Sequence, residues 1–287
     1  MEKKQIKING KIAVEIKING GLFWKAVGPE PTEPNKLVYS ANAAGSTITV
    51  NGETVTLEQG DNITLDYPNE ITSVKATNNT ALTYIQIPNT VTSIEDGNYD
   101  TGSFYKCTAL ASVSLPDTMT MIGNYAFSGC AALASVTLPD SLTSIGSFAF
   151  SGCNKLVDIT IPDSVKSIGN GAFADCSALA SVTLPNTLVS IGDSAFSSCS
   201  SLVSITIPEG VTSIGLQAFS NCTALASVTL PNTLVSIGKR AFANCSALTD
   251  FNYNGTMSQW SAITLGKQWK YNAAFTVVHC TDGDVSI

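Results

Sequence analysis

Apolar and small polar residues alternate in short bursts along most of this chain, and the bursts return every 23 residues. Residues 133–138 (LASVTL) show the unit, whose alternation predicts a strand with one buried face. Pro139 ends that strand, because proline cannot donate to a ladder. Residues 142–145 predict a shorter strand, and Gly146 is expected to allow the turn that follows, with positive φ. Ala149-Phe150 then predicts a helical or 3₁₀ turn that returns the chain to Cys153.

The same columns recur in phase. Leucine stands at Leu110, Leu133, Leu156, Leu179, Leu202, Leu225 and Leu248, and an Ala-Phe pair runs from Ala126-Phe127 to Ala241-Phe242. Proline recurs from Pro116 to Pro231 and an Ile-Gly pair from Ile122-Gly123 to Ile237-Gly238. Cysteine occupies Cys107, Cys130, Cys153, Cys176, Cys199, Cys222 and Cys245. The unit reads C-x-x-L-x-x-[VI]-x-[LI]-P-x-x-x-x-x-I-G-x-x-A-F-x-x-C. One unit cannot bury its own Leu, Val, Ile and Phe. Stacked units place every apolar column in one continuous core, which is the logic of a solenoid.

Upstream, Leu82, Ile85, Ile87, Pro88 and Ile94 fit the template, and Phe104 fits after a five-residue insertion. Pro68, Ile71 and Val74 resemble half of an earlier unit. Downstream, Leu248, Phe251 and Tyr253 start a last strand, after which the template dissolves and residues 260–269 supply apolar surface to close the end. The first residues differ in kind: Ile12, Val14, Ile16 and Ile18 alternate between Asn9-Gly10 and Asn19-Gly20, which predicts hairpins. The domain reading is therefore a β arm at 1–28, a proline-rich linker at 29–36, and a hairpin cap at 37–67 around Asn51-Gly52. The repeats occupy 68–253 and a second cap 254–287.

Charge narrows the function. Only 13% of residues are charged and the net charge is −7, so nothing marks the chain for phosphate backbones or anionic lipid. Nucleic acid is excluded as a partner, and membrane insertion is excluded because no apolar stretch reaches the length of a membrane span. Residues 1–7 are basic but no apolar run follows, so no secretory leader is read. Seven cysteines in register cannot all pair with one another, so they read as buried free thiols. Metal ligation would need C-x-x-C clusters or several histidines, and His279 is the single histidine. It neighbours Cys280, but adjacent residues on a strand point to opposite faces, so no nucleophile pair, cofactor or catalytic residue is assigned. The segment 96–100 (DGNYD) begins like a calcium loop, but Thr101 and Cys107 stand where that motif needs Gly and Glu, and it reads as a solvated turn.

The repeated L-x-x-[VI]-x-[LI]-P, I-G and A-F-x-x-C elements resemble the BspA-like class of leucine-rich repeats, over residues 68–253. The resemblance implies a mostly β solenoid with short helical turns and a parallel β-sheet on one face, of the kind typical of bacterial surface proteins. It implies non-enzymatic adhesion or protein binding, at the cell surface or secreted. The missing leader keeps a virion or cytoplasmic location open.

On the strand's outer face Ser135, Thr137, Asp158, Thr160, Ser181, Thr183, Ser204, Thr206, Ser227 and Thr229 form two columns. They are the candidate contact surface for a protein or glycan. Small hydroxyl residues also simply suit an exposed strand, and residues 178–192 recur unchanged at 224–238, unlike a surface shaped to one ligand. Repetition fits weak multivalent contact. The varied pairs beside the Ile-Gly turn, such as Asn124-Tyr125, Ser147-Phe148 and Lys239-Arg240, are the other candidate edge. A phage or virion attachment component and a ligand-free spacer are the alternative readings, and solenoid curvature opposes a third, ice binding by the threonines.

Overall fold

The protein was analysed as a computed structural model, which describes residues 7, 8, 11, 12, 36–67 and 70–287. Lys7–Ile8 and Lys11–Ile12 pair antiparallel, as the Asn9-Gly10 signal predicts. The turn expected at Asn19-Gly20, the alternating Val14, Ile16 and Ile18, residues 29–35 and Pro68 lie outside the described residues.

From Ile71 onward each unit makes one coil, and three backbone ladders join each coil to the next. The first is made of two-residue strands: Ser93–Ile94, Met121–Ile122, Ser144–Ile145, Ser167–Ile168, Ser190–Ile191, Ser213–Ile214, Ser236–Ile237 and Thr264–Leu265. They form an unbroken eight-stranded parallel sheet in which isoleucines stack directly. The second ladder uses Leu82–Gln86, Ser112–Ser114, Asp158–Thr160, Ser181–Thr183, Ser204–Thr206, Ser227–Leu230 and Asp250–Tyr253. This sheet is interrupted. Residues 133–138 contribute only a bridge from Ser135 to Ser112, and pairing lapses again between Thr183 and Ser204. The expected long strand at 133–138 is thus corrected: the continuous sheet belongs to the shorter strand. Each longer strand but the last, which runs into Asn254, meets a proline that donates nothing, so its ladder rests on few bonds per coil.

The reason the short ladder holds is glycine, but not through its φ. The left-handed residues are Tyr125, Phe148, Gly171, Ser194, Gln217 and Arg240, two positions after each Ile-Gly glycine, and a second set just before each cysteine. Gly146 itself is not left-handed. A Cβ there would lie 2.5 Å from the Asn124 nitrogen and 2.6 Å from the Gly123 carbonyl carbon. The glycine lets neighbouring backbones touch, which corrects the expectation of a positive φ.

The return segment is a chain of i→i+3 turns rather than a helix, with Ala126 N–H donating to Gly123 and Cys130 N–H to Phe127. It carries the third ladder: Tyr125, Phe127 and Gly129 donate to the carbonyls of Ser147, Ala149 and Ser151.

Inside, Phe104, Phe127, Phe150, Phe173, Phe196, Phe219 and Phe242 stack nearly parallel, most centroids 5.4 Å apart. Phe251 ends the stack edge-on, 5.3 Å from Phe242 at 89°.

Both ends change direction. At the start, Lys36–Ala41 lies antiparallel between Leu82–Gln86 and Gly60–Asp66. Thr47–Val50 and Glu53–Thr56 form the expected hairpin, with positive φ at both Asn51 and Gly52. At the far end the template does not dissolve after Tyr253. Thr264–Leu265 pairs with Ser236–Ile237, and Phe242 N–H donates to the Trp269 carbonyl as each earlier phenylalanine does to the alanine carbonyl of the next coil. The repeat was hidden by the helix Met257–Ser261, capped by Thr256 and Gln259. Trp260, Trp269 and Phe275 bury against Phe251, and the hairpin Val277–Cys280 with Gly283–Ser286 closes the sheet.

Candidate functional site

The alternation that buries Val136, Ile159, Ile205 and Val228 turns the intervening hydroxyl residues outward. Ser135, Thr137, Asp158, Thr160, Ser181, Thr183, Ser204 and Thr206 are exposed, while Ser227 and Thr229 are half-buried. Their register is direct: Asp158 sits beside Ser181 and Thr160 beside Thr183, and likewise Ser204 beside Ser227 and Thr206 beside Thr229. All ten residues therefore share the outer face of the interrupted ladder. At its C-terminal end Ser227 donates to the Asp250 carboxylate at 2.9 Å, and Asn252 donates to the same carboxylate. Val157 and Val203, each about half exposed, border this face every second coil.

Chemically the face is a set of groups that both donate and accept, with Asp158 as its one charge before Asp250. His279 continues the threonine column at its far end, beside Asn252, which itself lies beside Thr229. His279 lies across the closing hairpin, its Nδ1 2.9 Å from Asp284. Cys280 turns the other way and packs on the core, so the two do not form a pair. Among the described residues, no group of three or more His, Cys, Asp or Glu could hold a metal ion. No helix among them is long and apolar enough to cross a membrane. In the 96–100 segment the Asp96 carboxylate accepts from Asn124 N–H and the Asn98 amide oxygen accepts from Asp100 N–H, so both serve the turn.

All eight cysteines are free, and the seven repeat cysteines are buried. Each of these thiols donates to the backbone carbonyl of the preceding coil: Cys130 to Phe104 at 3.1 Å, Cys176 to Phe150 at 3.1 Å, Cys245 to Phe219 at 3.1 Å. Burial pushes the thiols up, to about 12 at Cys107, Cys176 and Cys245, against the direction a nucleophile needs. In the first coil Asn79 occupies the cysteine's place and binds the cap strand instead, donating to the Thr47 carbonyl at 2.9 Å.

The varied edge beside the Ile-Gly turn is partly accounted for by packing. Asn124 accepts from Ser147 N–H, Asn170 from Asp193 N–H and Asp193 from Leu216 N–H, so these side chains pin each coil to the next. Sequence reasoning missed this, and missed a second set of pins after the prolines. There Ser141 donates to the Met119 carbonyl, Ser164 to that of Leu142 and Thr233 to that of Val211. The recurrence of Ser or Thr two residues after proline was the available signal.

The comparisons agree with this architecture. A leucine-rich repeat protein from Bacteroides ovatus is 29% identical over 76% of this chain, with a TM-score of 0.58. The chain covers 61% of that protein, less than two thirds of its length. A leucine-rich repeat protein from Eubacterium ventriosum is 26% identical over 67% of this chain and 59% of its own, with a TM-score of 0.50. A leucine rich cell surface protein from Faecalibacterium prausnitzii is 30% identical over 64% of this chain and 63% of its own, with a TM-score of 0.44. No curated protein matches. The model of the BspA type leucine rich repeat region matches six copies, over residues 69–160, 98–222 and 153–265. These matches take in well over half of the sequence and the same coils that the ladders define, and the chain belongs to the BspA type leucine-rich repeat family.

Proposed function

We propose that this chain is a non-enzymatic binding and adhesion protein that recognises a protein or glycan surface through the Ser/Thr face. The observation that carries the reading is the pair of outward hydroxyl columns, in direct register from Asp158–Thr160 to Ser181–Thr183 and from Ser204–Thr206 to Ser227–Leu230, on a solenoid with a buried apolar core. Family membership supports the class, since such repeats are typically interaction scaffolds. Repetition of one contact along the face favours multivalent attachment to a repetitive partner, in which weak single contacts add through effective concentration. The work is placed at the bacterial cell surface or outside it, in keeping with the family.

The test is a binding screen of the full chain, alone and as an artificial multimer, against extracellular-matrix proteins and immobilised glycans. Each hit is repeated with Thr137, Thr160, Thr183, Thr206 and Thr229 changed to lysine. Binding that the lysines abolish, with circular dichroism unchanged, supports the reading. Binding that survives them moves the contact elsewhere, and no binding in either form leaves a spacer.

A further inference from the structure

Among the described residues the strongly exposed aromatics are Tyr271, at the far end, and Tyr99, at one edge of the first coils. There the five-residue insertion projects Tyr99, 71% exposed, with Tyr105 5.9 Å away between ring centroids. Lys106 lies across both, its Nζ 5.1 Å from the Tyr105 centroid and 5.9 Å from that of Tyr99. The insertion is tied to the turn that carries Tyr125. Gly97 N–H donates to the Asn124 carbonyl at 2.9 Å, Asp96 accepts from Asn124 N–H at 2.8 Å, and Gly102 packs on the Tyr125 backbone. The Tyr125 ring stacks on Phe148 in the next coil, centroids 5.0 Å apart and 17° from parallel, and both rings are half-buried.

Packing does not require these rings. Tyr125 and Phe148 stand at φ 55° and 56°, where later coils hold Gly171, Ser194, Gln217 and Arg240 in the same left-handed conformation. Gly171 also makes room for the ring before it, since a Cβ there would lie 2.4 Å from Phe148 Cε1.

The surroundings choose the ligand. Asp100 is exposed and its carboxylate has no partner among the described residues, while one Asp96 oxygen and the Asn98 oxygen are engaged by the turn. An anionic ligand would meet Asp96 and Asp100, and a cationic one the Lys106 ammonium. A pyranose ring is uncharged, offers a flat C–H face to an aromatic ring and presents hydroxyls to acceptors at its rim. We propose that the edge formed by Tyr99, Tyr125 and Phe148 is a carbohydrate site that takes a neutral, hexose-containing glycan. It lies off the Ser/Thr face and does not rest on the function proposed for that face.

Affinity electrophoresis of the full chain tests it, in gels holding hydroxyethylcellulose, glucomannan, xyloglucan, galactomannan or mixed-linkage β-glucan. Retardation is expected in at least one gel. Tyr99→Ala and Phe148→Ser are each expected to weaken it about tenfold, as loss of a central aromatic anchor does. Serine at 148 repeats what the array already holds at Ser194, so the melting temperature reports whether the fold is kept. The five threonine-to-lysine changes are expected to leave retardation intact. No retardation in any gel overturns the site, as does retardation that survives the Tyr99→Ala, Phe148→Ser double variant with its fold intact.

Discussion

Gly146 shows how much one missing side chain can carry. Its Cβ would stand within 2.6 Å of two backbone atoms of the neighbouring coil, and backbone cannot swing aside as a flexible side chain does. Gly146→Ala is expected to cost about 1–3 kcal/mol, the range for overpacking, read as a lowered urea midpoint at unchanged slope. The cysteines differ: they are closed in rather than clashing. Ellman's reagent on the folded protein should find at most one thiol, the half-buried Cys280, and denatured protein without reductant should show all eight. Two or fewer under denaturing conditions would mean disulfides and would end the packing account.

Along the elements, the cysteine column does more than fill space, because each thiol ties one coil's turn to the carbonyl of the one before. This has a pH consequence whose sign is fixed by burial. An unfolded thiol releases its proton near its ordinary 9.0, whereas Cys107, Cys176 and Cys245 hold theirs until about 12. Between those values the folded chain binds more protons than the unfolded one, so stability falls as pH rises, by about 1.4 kcal/mol per pH unit for each thiol. The contribution is complete below pH 9 and lost through 12. Urea titrations at pH 8 and 10 should show the fall, and Cys176→Ala should make it shallower by about that one-thiol slope.

The sequence made the columns, the coil and the strand faces legible, because the 23-residue period and the two-residue alternation are both written in apolar side chains. The left-handed positions were not legible, since Tyr125, Ser194 and Arg240 share no residue type. Their φ is imposed by turns closed between coils. The last coil was hidden for a different reason: five inserted residues shifted Leu265-Gly266 out of phase, and only pairing with Ser236–Ile237 restores the register. Eight of the ten face residues are exposed, and Ser227 and Thr229 are half-buried. Whether they bind is a property of a partner, which no pattern within the chain encodes.

For the whole molecule, the ladders and the phenylalanine stack join each coil to its neighbours, with a side-chain bond from Asn254 to Glu209 reaching two coils back, so stability is a sum of coils and interfaces rather than the property of one centre. Both ends are sealed by antiparallel strands, and the Phe242 end also by Phe251, Trp260 and Trp269, so fraying from either end meets a reinforced layer. A defect in the middle has no such seal. Phe196 is fully buried between Phe173 and Phe219, 5.4 Å from each. Phe196→Ala is expected to cost about 3–5 kcal/mol as a cavity in a packed stack. Because coupling passes mainly through adjacent coils, the cost should appear first as lost cooperativity. Hydrogen exchange should show residues 173–219 opening before both flanks, where the parent chain opens more uniformly. A loss below about 1 kcal/mol would contradict the cavity cost, and uniform early exchange along the array would contradict nearest-neighbour coupling.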